Sequence, residues 1–152
     1  MSAAERKALA RRMYEEMCNE RKLEIAGELC SSKLVFHEPV SVRDTVGKGP
    51  QEWAEEIRIY HTGFSNAHWK IHDVLEAEGN NIVVTWTGTG TNDGKLPGGI
   101  GPTGKKVKIE AISILTFDGK KIVSIRDMWD YHTFLEQLGL VPVTAQEKSS
   151  VE

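Results

Sequence analysis

The 152-residue sequence predicts an α+β fold in which helices come first and an antiparallel sheet follows. Three observations carry this. Up to about residue 60, apolar residues recur every three or four positions, the spacing of one helical face. After Gly63 the spacing changes to two, the period of a strand with one buried face. Between the strand candidates stand Gly79-Asn80 and Asp118-Gly119, residues that accept the positive φ of tight hairpin turns. This order of elements is not the βαβ alternation of nucleotide-binding folds.

The first helix is expected from Ala4 to about Asn19, with Leu9, Met13 and Met17 on its apolar face. A short second helix covers Lys22–Cys30 through Leu23, Ala26 and Leu29. Gly49-Pro50 opens the third, which runs through Trp53, Ile57 and Tyr60, because proline is tolerated in a first helical turn. Strands are expected at His68–Glu76, Ile82–Thr91, Lys106–Phe117 and Lys121–Asp130. The last helix, Tyr131–Leu138, is stopped by Gly139 and Pro142. One domain is expected over residues 1–143, with 144–152 a flexible polar tail.

Composition narrows the function. A net charge of -3 without lysine clusters leaves no electrostatic footprint for nucleic acid. No stretch approaches the ~20 apolar residues of a membrane span, and the N-terminus leads into no signal-peptide core, so a cytoplasmic protein is expected. Cys18 and Cys30 show no CxxC spacing and read as buried reduced thiols in helices. His68 and His72 sit on a strand without an acidic third ligand, and HExxH is absent, so no metal site is expected. Gly98-Gly99-Ile100-Gly101 follows no βαβ unit and reads as a flexible loop, not a phosphate cradle. No serine or cysteine has a G-x-S-x-G context.

The densest set of motifs lies between residues 88 and 139. It comprises Gly88-Thr89-Gly90-Thr91-Asn92-Asp93-Gly94, Gly101-Pro102-Thr103-Gly104-Lys105, Ile112-Ser113-Ile114, Asp118-Gly119-Lys120, Trp129-Asp130 and Gln137-Leu138-Gly139. In this order and spacing the set resembles the SnoaL-like polyketide cyclases of the nuclear-transport-factor-two-like (cystatin-like) superfamily. The resemblance spans about residues 9–141. It implies a curved antiparallel sheet of four to six strands packed on the N-terminal helices around a blind conical pocket. It further implies a homodimer packed through the sheets and a small, largely apolar carbonyl substrate, turned over without a cofactor by intramolecular aldol condensation.

Along an unbroken last strand, Ile122, Ser124, Arg126, Met128 and Asp130 share one face, and Val123, Ile125, Asp127 and Trp129 the other. Either acid could then be enclosed. The family pattern favours Asp130, directly before the final helix and nine residues ahead of Gly139. An enclosed carboxylate loses hydration and becomes a stronger base, suited to removing a proton beside a carbonyl. Against that reading stands the common use of aspartate as a helix N-cap. The resemblance also implies that His37, in Phe36-His37-Glu38-Pro39, lines the pocket, with Tyr60, His61, Asn66 and Asn92 as substrate contacts and Trp86 and Trp129 as walls.

Departures from the family pattern cluster at the expected pocket. Thr85 replaces an arginine, Asn92 a histidine and Ser65-Asn66 a Pro-Asp pair, and Arg126 stands where an aromatic is usual. Arg126 with Asp127 and Asp130 suggests a rival reading, epoxide opening by two acids and an arginine. An isomerase on the same scaffold, like ketosteroid isomerase, would need a second acid or a donor pair. A non-catalytic binding module would need only the pocket.

Overall fold

The computed structural model describes residues 1–144; the tail expected over 144–152 lies, from 145 on, outside the described residues. Helix α1 (Ala3–Arg12) starts at Ser2, whose side chain accepts from the Glu5 N–H, and runs on as a π-helical segment, Met13–Asn19. Because π turns close at i→i+5, Tyr14 and Cys18, four apart, fall on one side. A 3₁₀ turn (Leu23–Ile25) leads into α2 (Ala26–Leu29). Helix α3 (Pro50–Gly63) follows Gly49, whose φ of 87° favours glycine, and α4 (Tyr131–Gln137) closes the described fold.

Six strands, β1 (Cys30–His37), β2 (Gly47–Lys48), β3 (His68–Ala77), β4 (Asn81–Thr91), β5 (Lys106–Asp118) and β6 (Lys121–Trp129), form one curved, unclosed sheet in the order β2-β1-β6-β5-β4-β3. The expected α+β architecture is observed. Its inner face carries the core: Ile82, Val84 and Trp86 on β4, and Val107, Ile109, Ala111, Leu115 and Phe117 on β5. Met13, Met17, Leu29, Leu34, Phe36 and Ile57 join from the helices and β1. Burying such side chains stabilises by roughly 1.5–3 kcal/mol each.

Four expectations are corrected. The helix expected over Lys22–Cys30 ends at Leu29, and Cys30 begins β1, which with β2 was not expected as strand. The sheet is not antiparallel throughout, because β1 runs parallel to β6. A bulge lies opposite Thr116 and Phe117, which pair with Ser124 and Ile122, so Val123 is left over. That single residue breaks the parity expected of the last strand: Ile122 and Ile125 are both fully buried. Finally, β6 ends at Trp129, and Asp130 is the N-cap of α4.

Candidate active site

Beyond the bulge, Ile125, Asp127 and Trp129 point inward while Arg126 and Met128 are exposed. Asp127 and Trp129 line a cavity of about 80 Å³ between the sheet, the π-helical segment, α3 and α4, several times what one water needs. All four tryptophans of the chain, Trp53, Trp69, Trp86 and Trp129, line it, with Tyr14, Tyr60, Phe64 and Phe134. The rings meet mostly edge to face: Trp129 lies 6.1 Å from Tyr60 and 5.4 Å from Phe134 between centroids. Asn19 holds Trp69 in place by exchanging two 2.8 Å hydrogen bonds with its backbone. Gly88 keeps the wall open, since a Cβ there would stand 3.1 Å from the Trp86 ring.

Three carboxyls enter this aromatic space: Glu38, Glu56 and Asp127. Glu56 is paired with Arg43, its Oε1 2.8 Å from Nη1. Glu38 and Asp127 instead act on each other, and the repulsion between two carboxylate charges favours a proton on one of them. Burial, then the Asp127 charge, pushes Glu38 up to about 9. Burial also raises Asp127, to about 6, opposed by hydrogen bonds from Ser113 and Glu38. Both carboxyls are thus raised above their ordinary range, Glu38 the further of the two, and the pair favours keeping a proton. No lysine or arginine is among the lining residues.

The pair is fixed by donors. Ser113 Oγ donates to Asp127 Oδ1 at 2.6 Å, Trp86 Nε1 donates to Ser113 Oγ at 2.9 Å, and Trp129 Nε1 donates to Glu38 Oε2 at 3.0 Å. The Tyr14 hydroxyl and Trp53 Nε1 are buried and have no hydrogen-bond partner among the described residues. Burial raises the Tyr14 and Tyr60 hydroxyls and the Cys18 thiol well above their ordinary ranges, so all three stay protonated.

Of the residues expected from sequence, Asp127, Tyr60, Trp86 and Trp129 meet in the cavity. Asp130 does not line it: it is exposed, and its carboxylate accepts from Thr133 N at 3.0 Å and Thr133 Oγ1 at 2.7 Å. The side chain is directed by the helix start it caps. Arg126 is exposed on the outer face, away from both acids. His37, expected on a loop facing the pocket, is the exposed last residue of β1. Alternation along that strand turns Glu38 inward instead. His61 packs its ring 5.5 Å from Trp69 and sets Nε2 2.7 Å from the Cys18 carbonyl, and burial lowers its pKa.

Asn66 and Asn92 are bracing residues rather than lining ones. Asn66 Oδ1 accepts from Thr91 N at 2.7 Å. Asn92 is fully buried, donating to the Gly63 and Gly94 carbonyls and accepting from Thr103 N. Sequence reasoning missed Glu38, Glu56, Tyr14, Trp53 and Ser113. For Glu38 the signal was present in the alternation Leu34, Phe36, Glu38, and for Ser113 in its place as a lone polar residue in an apolar row.

No group of three His, Cys, Asp or Glu among the described residues is placed to hold a metal ion. No described helix is long and apolar enough to cross a membrane.

The same architecture occurs in solved structures. A protein from Jannaschia Sp. CCS1 described as a SnoaL-like polyketide cyclase superposes with a TM-score of 0.80 at 17% identity, covering 91% of this chain and 94% of its own. AclR from Streptomyces galilaeus, described as a hydroxylase, superposes with a TM-score of 0.80 at 23% identity, over 95% and 91% of the two chains. IdmH from Streptomyces antibioticus, described as a polyketide cyclase, gives 0.75 at 21% identity, over 88% and 98%. No curated protein matches the sequence. The sequence profile of the SnoaL-like polyketide cyclases matches residues 8–138. The chain therefore belongs to the SnoaL-like polyketide cyclase family.

Proposed function

We propose that this protein closes a ring in a small, largely apolar carbonyl compound of the polyketide ester or ketone type, by a cofactor-independent intramolecular aldol condensation. The observation that carries this reading is the Asp127–Glu38 carboxyl pair, sharing one proton inside an aromatic cavity that no lysine or arginine lines. The family pattern puts the acid–base role on Asp130; the geometry supports assigning it to Asp127.

Asp127, the ionised member, takes a proton from the carbon next to a carbonyl. Charge then develops on the enolate oxygen, where a neutral Glu38 carboxyl or the Tyr14 hydroxyl can donate to it. The enolate carbon attacks a second carbonyl of the same molecule; a carbon–carbon bond forms and that carbonyl becomes an alkoxide. The alkoxide takes the proton back from Asp127, which leaves the enzyme unchanged. Holding both reacting carbons between the tryptophan rings supplies rate by proximity. An apolar cavity also keeps the base poorly hydrated and therefore strong.

A second reading shares the first step. The neutral carboxyl beside the charged one, with the unpartnered Tyr14 hydroxyl nearby, suits an isomerase in which the proton returns to a different carbon and a double bond moves. The epoxide-opening reading lacks its cation, since Arg126 faces away.

We also assign a second copy of the chain to the outer face of the sheet, where Ile112 and Met128 are 51% and 65% exposed and stand opposite each other across β5 and β6.

The test is a turnover screen of the wild-type protein against β-keto esters, polyketide-like diketones, β,γ-unsaturated ketones and small epoxides, with products identified by mass spectrometry and NMR. Cyclised product supports the cyclase, and a moved double bond supports the isomerase. Epoxide opening, or binding without any turnover, contradicts both.

A further inference from the structure

We propose that Ser113, its hydroxyl oriented by the Trp86 indole, is a positioning residue that makes Asp127 the proton-accepting member of the carboxyl pair. This rests on Asp127 being the base. The inward row of β5 reads Val107, Ile109, Ala111, Ser113, Leu115, Phe117, so Ser113 is a lone hydroxyl in an apolar line, fully buried. It stands directly opposite Asp127 in the β5–β6 register. Trp86 is opposite Ala111, which places its ring on the diagonal from Ser113, within reach of a long side chain.

The direction of the hydrogen bonds follows from the donor inventory. An indole N–H can only donate, so at 2.9 Å the Ser113 oxygen must accept from Trp86. The one hydroxyl proton is then left for Asp127 Oδ1, 2.6 Å away. Tyr14 approaches Ser113 without closing a hydrogen bond; donation from it would equally leave the serine proton for Asp127. The serine, itself polarised by the indole, is a stronger donor than an isolated hydroxyl. Glu38 receives only the longer bond from Trp129, at 3.0 Å. The two carboxyls are therefore unequal before any substrate arrives: the one with the shorter hydrogen bond, Asp127, carries the charge. The order of their pKa values, Glu38 above Asp127, agrees.

The other titratable groups facing Asp127 do not supply this bias. Tyr14 and Cys18 on the π-helical segment and Tyr60 on α3 are held neutral by burial. Glu56 on α3 opposes a second negative charge but is held by Arg43. His68, from β3, is exposed at the mouth of the cavity.

The experiment is a carboxyl ¹³C NMR titration of the ligand-free protein labelled at Asp and Glu, which needs no turnover. In the wild type Asp127 titrates below Glu38. In Ser113→Ala the Asp127 midpoint rises by about one pH unit or more, a tenfold loss of acidity. Ser113→Thr, which keeps the hydroxyl, restores it. Trp86→Phe moves the midpoint in the same direction by less, and adds nothing in the Ser113→Ala background. An Asp127 midpoint unmoved by both Ser113→Ala and Trp86→Phe overturns the proposal, as does a wild-type pair whose proton sits on Asp127 at neutral pH. The acidic limb of the kcat/KM profile then separates the two levels. If the titration shifts and the limb does not, Ser113 holds Asp127 as proposed and Asp127 is not the base.

Discussion

Glu38 and Asp127 meet because β1 runs parallel to β6. His37, the last residue of β1, pairs with Arg126 in that register, so Glu38 just beyond it and Asp127 on β6 both come to the cavity. An antiparallel neighbour in the place of β1 would separate the two. The one parallel pairing of the sheet thus builds the carboxyl pair.

The pair has a stability signature. An unfolded glutamate titrates near 4.3, whereas Glu38 in the fold is raised to about 9. The native state binds the extra proton, so this group's contribution is fully present below about pH 4.5 and is lost as pH rises toward 9. Glu38→Gln cannot titrate. Thermal unfolding from pH 5 to 9 should show a shallower decline in the variant, which gains on the wild type as pH rises; equal slopes would contradict the shared proton.

Asp130 should behave as a cap. Asp130→Ala removes the bonds to Thr133 and should lower stability by about 1 kcal/mol, or roughly 2–4 °C in Tm, while kcat stays within a few-fold of wild type. A hundredfold loss of turnover with normal stability would return the acid–base role to Asp130.

Asn92 should matter to the fold and not to the chemistry. Asn92→Ala removes three hydrogen bonds, to the Gly63 and Gly94 carbonyls and from the Thr103 N–H, each contributing about 0.5–1.5 kcal/mol. The expected result in urea is a drop of more than about 2 kcal/mol, with ligand affinity per folded molecule unchanged.

The outer-face interface predicts an oligomeric change. Ile112→Lys with Met128→Lys should convert a dimer to a folded monomer in sedimentation velocity, because it replaces the two exposed apolar side chains that face each other across β5 and β6 with like charges. A wild type that sediments as a monomer at high concentration would contradict the assignment.

Local pattern made the helices, the four long strands and their hairpin turns legible in the sequence. What it hid came from non-local or single-residue effects. Strand β1 was obscured by Ser31, Ser32 and Lys33, a polar run where its pairing with β6 breaks register between Cys30 and Val35. The left-over Val123 reversed the facing of everything after it, and no property of Val123 itself announces a bulge. Glu38 looked like a loop residue because its partner belongs to the far end of the chain. Tyr60, Trp86 and Trp129 were legible as lining residues because large aromatic side chains on an inward face have few other places to go. Asn66 and Asn92 were misread as contacts because bracing and binding use the same amide groups.

The most direct test of the central claim is proton–deuterium exchange at the carbon next to a carbonyl, followed by NMR, for wild type, Asp127→Asn and Asp130→Asn. It isolates the first chemical step from cyclisation. The prediction is that exchange above background falls by more than about a hundredfold in Asp127→Asn, a typical general-base contribution, and persists in Asp130→Asn. Exchange that survives in Asp127→Asn and disappears in Asp130→Asn would contradict the account.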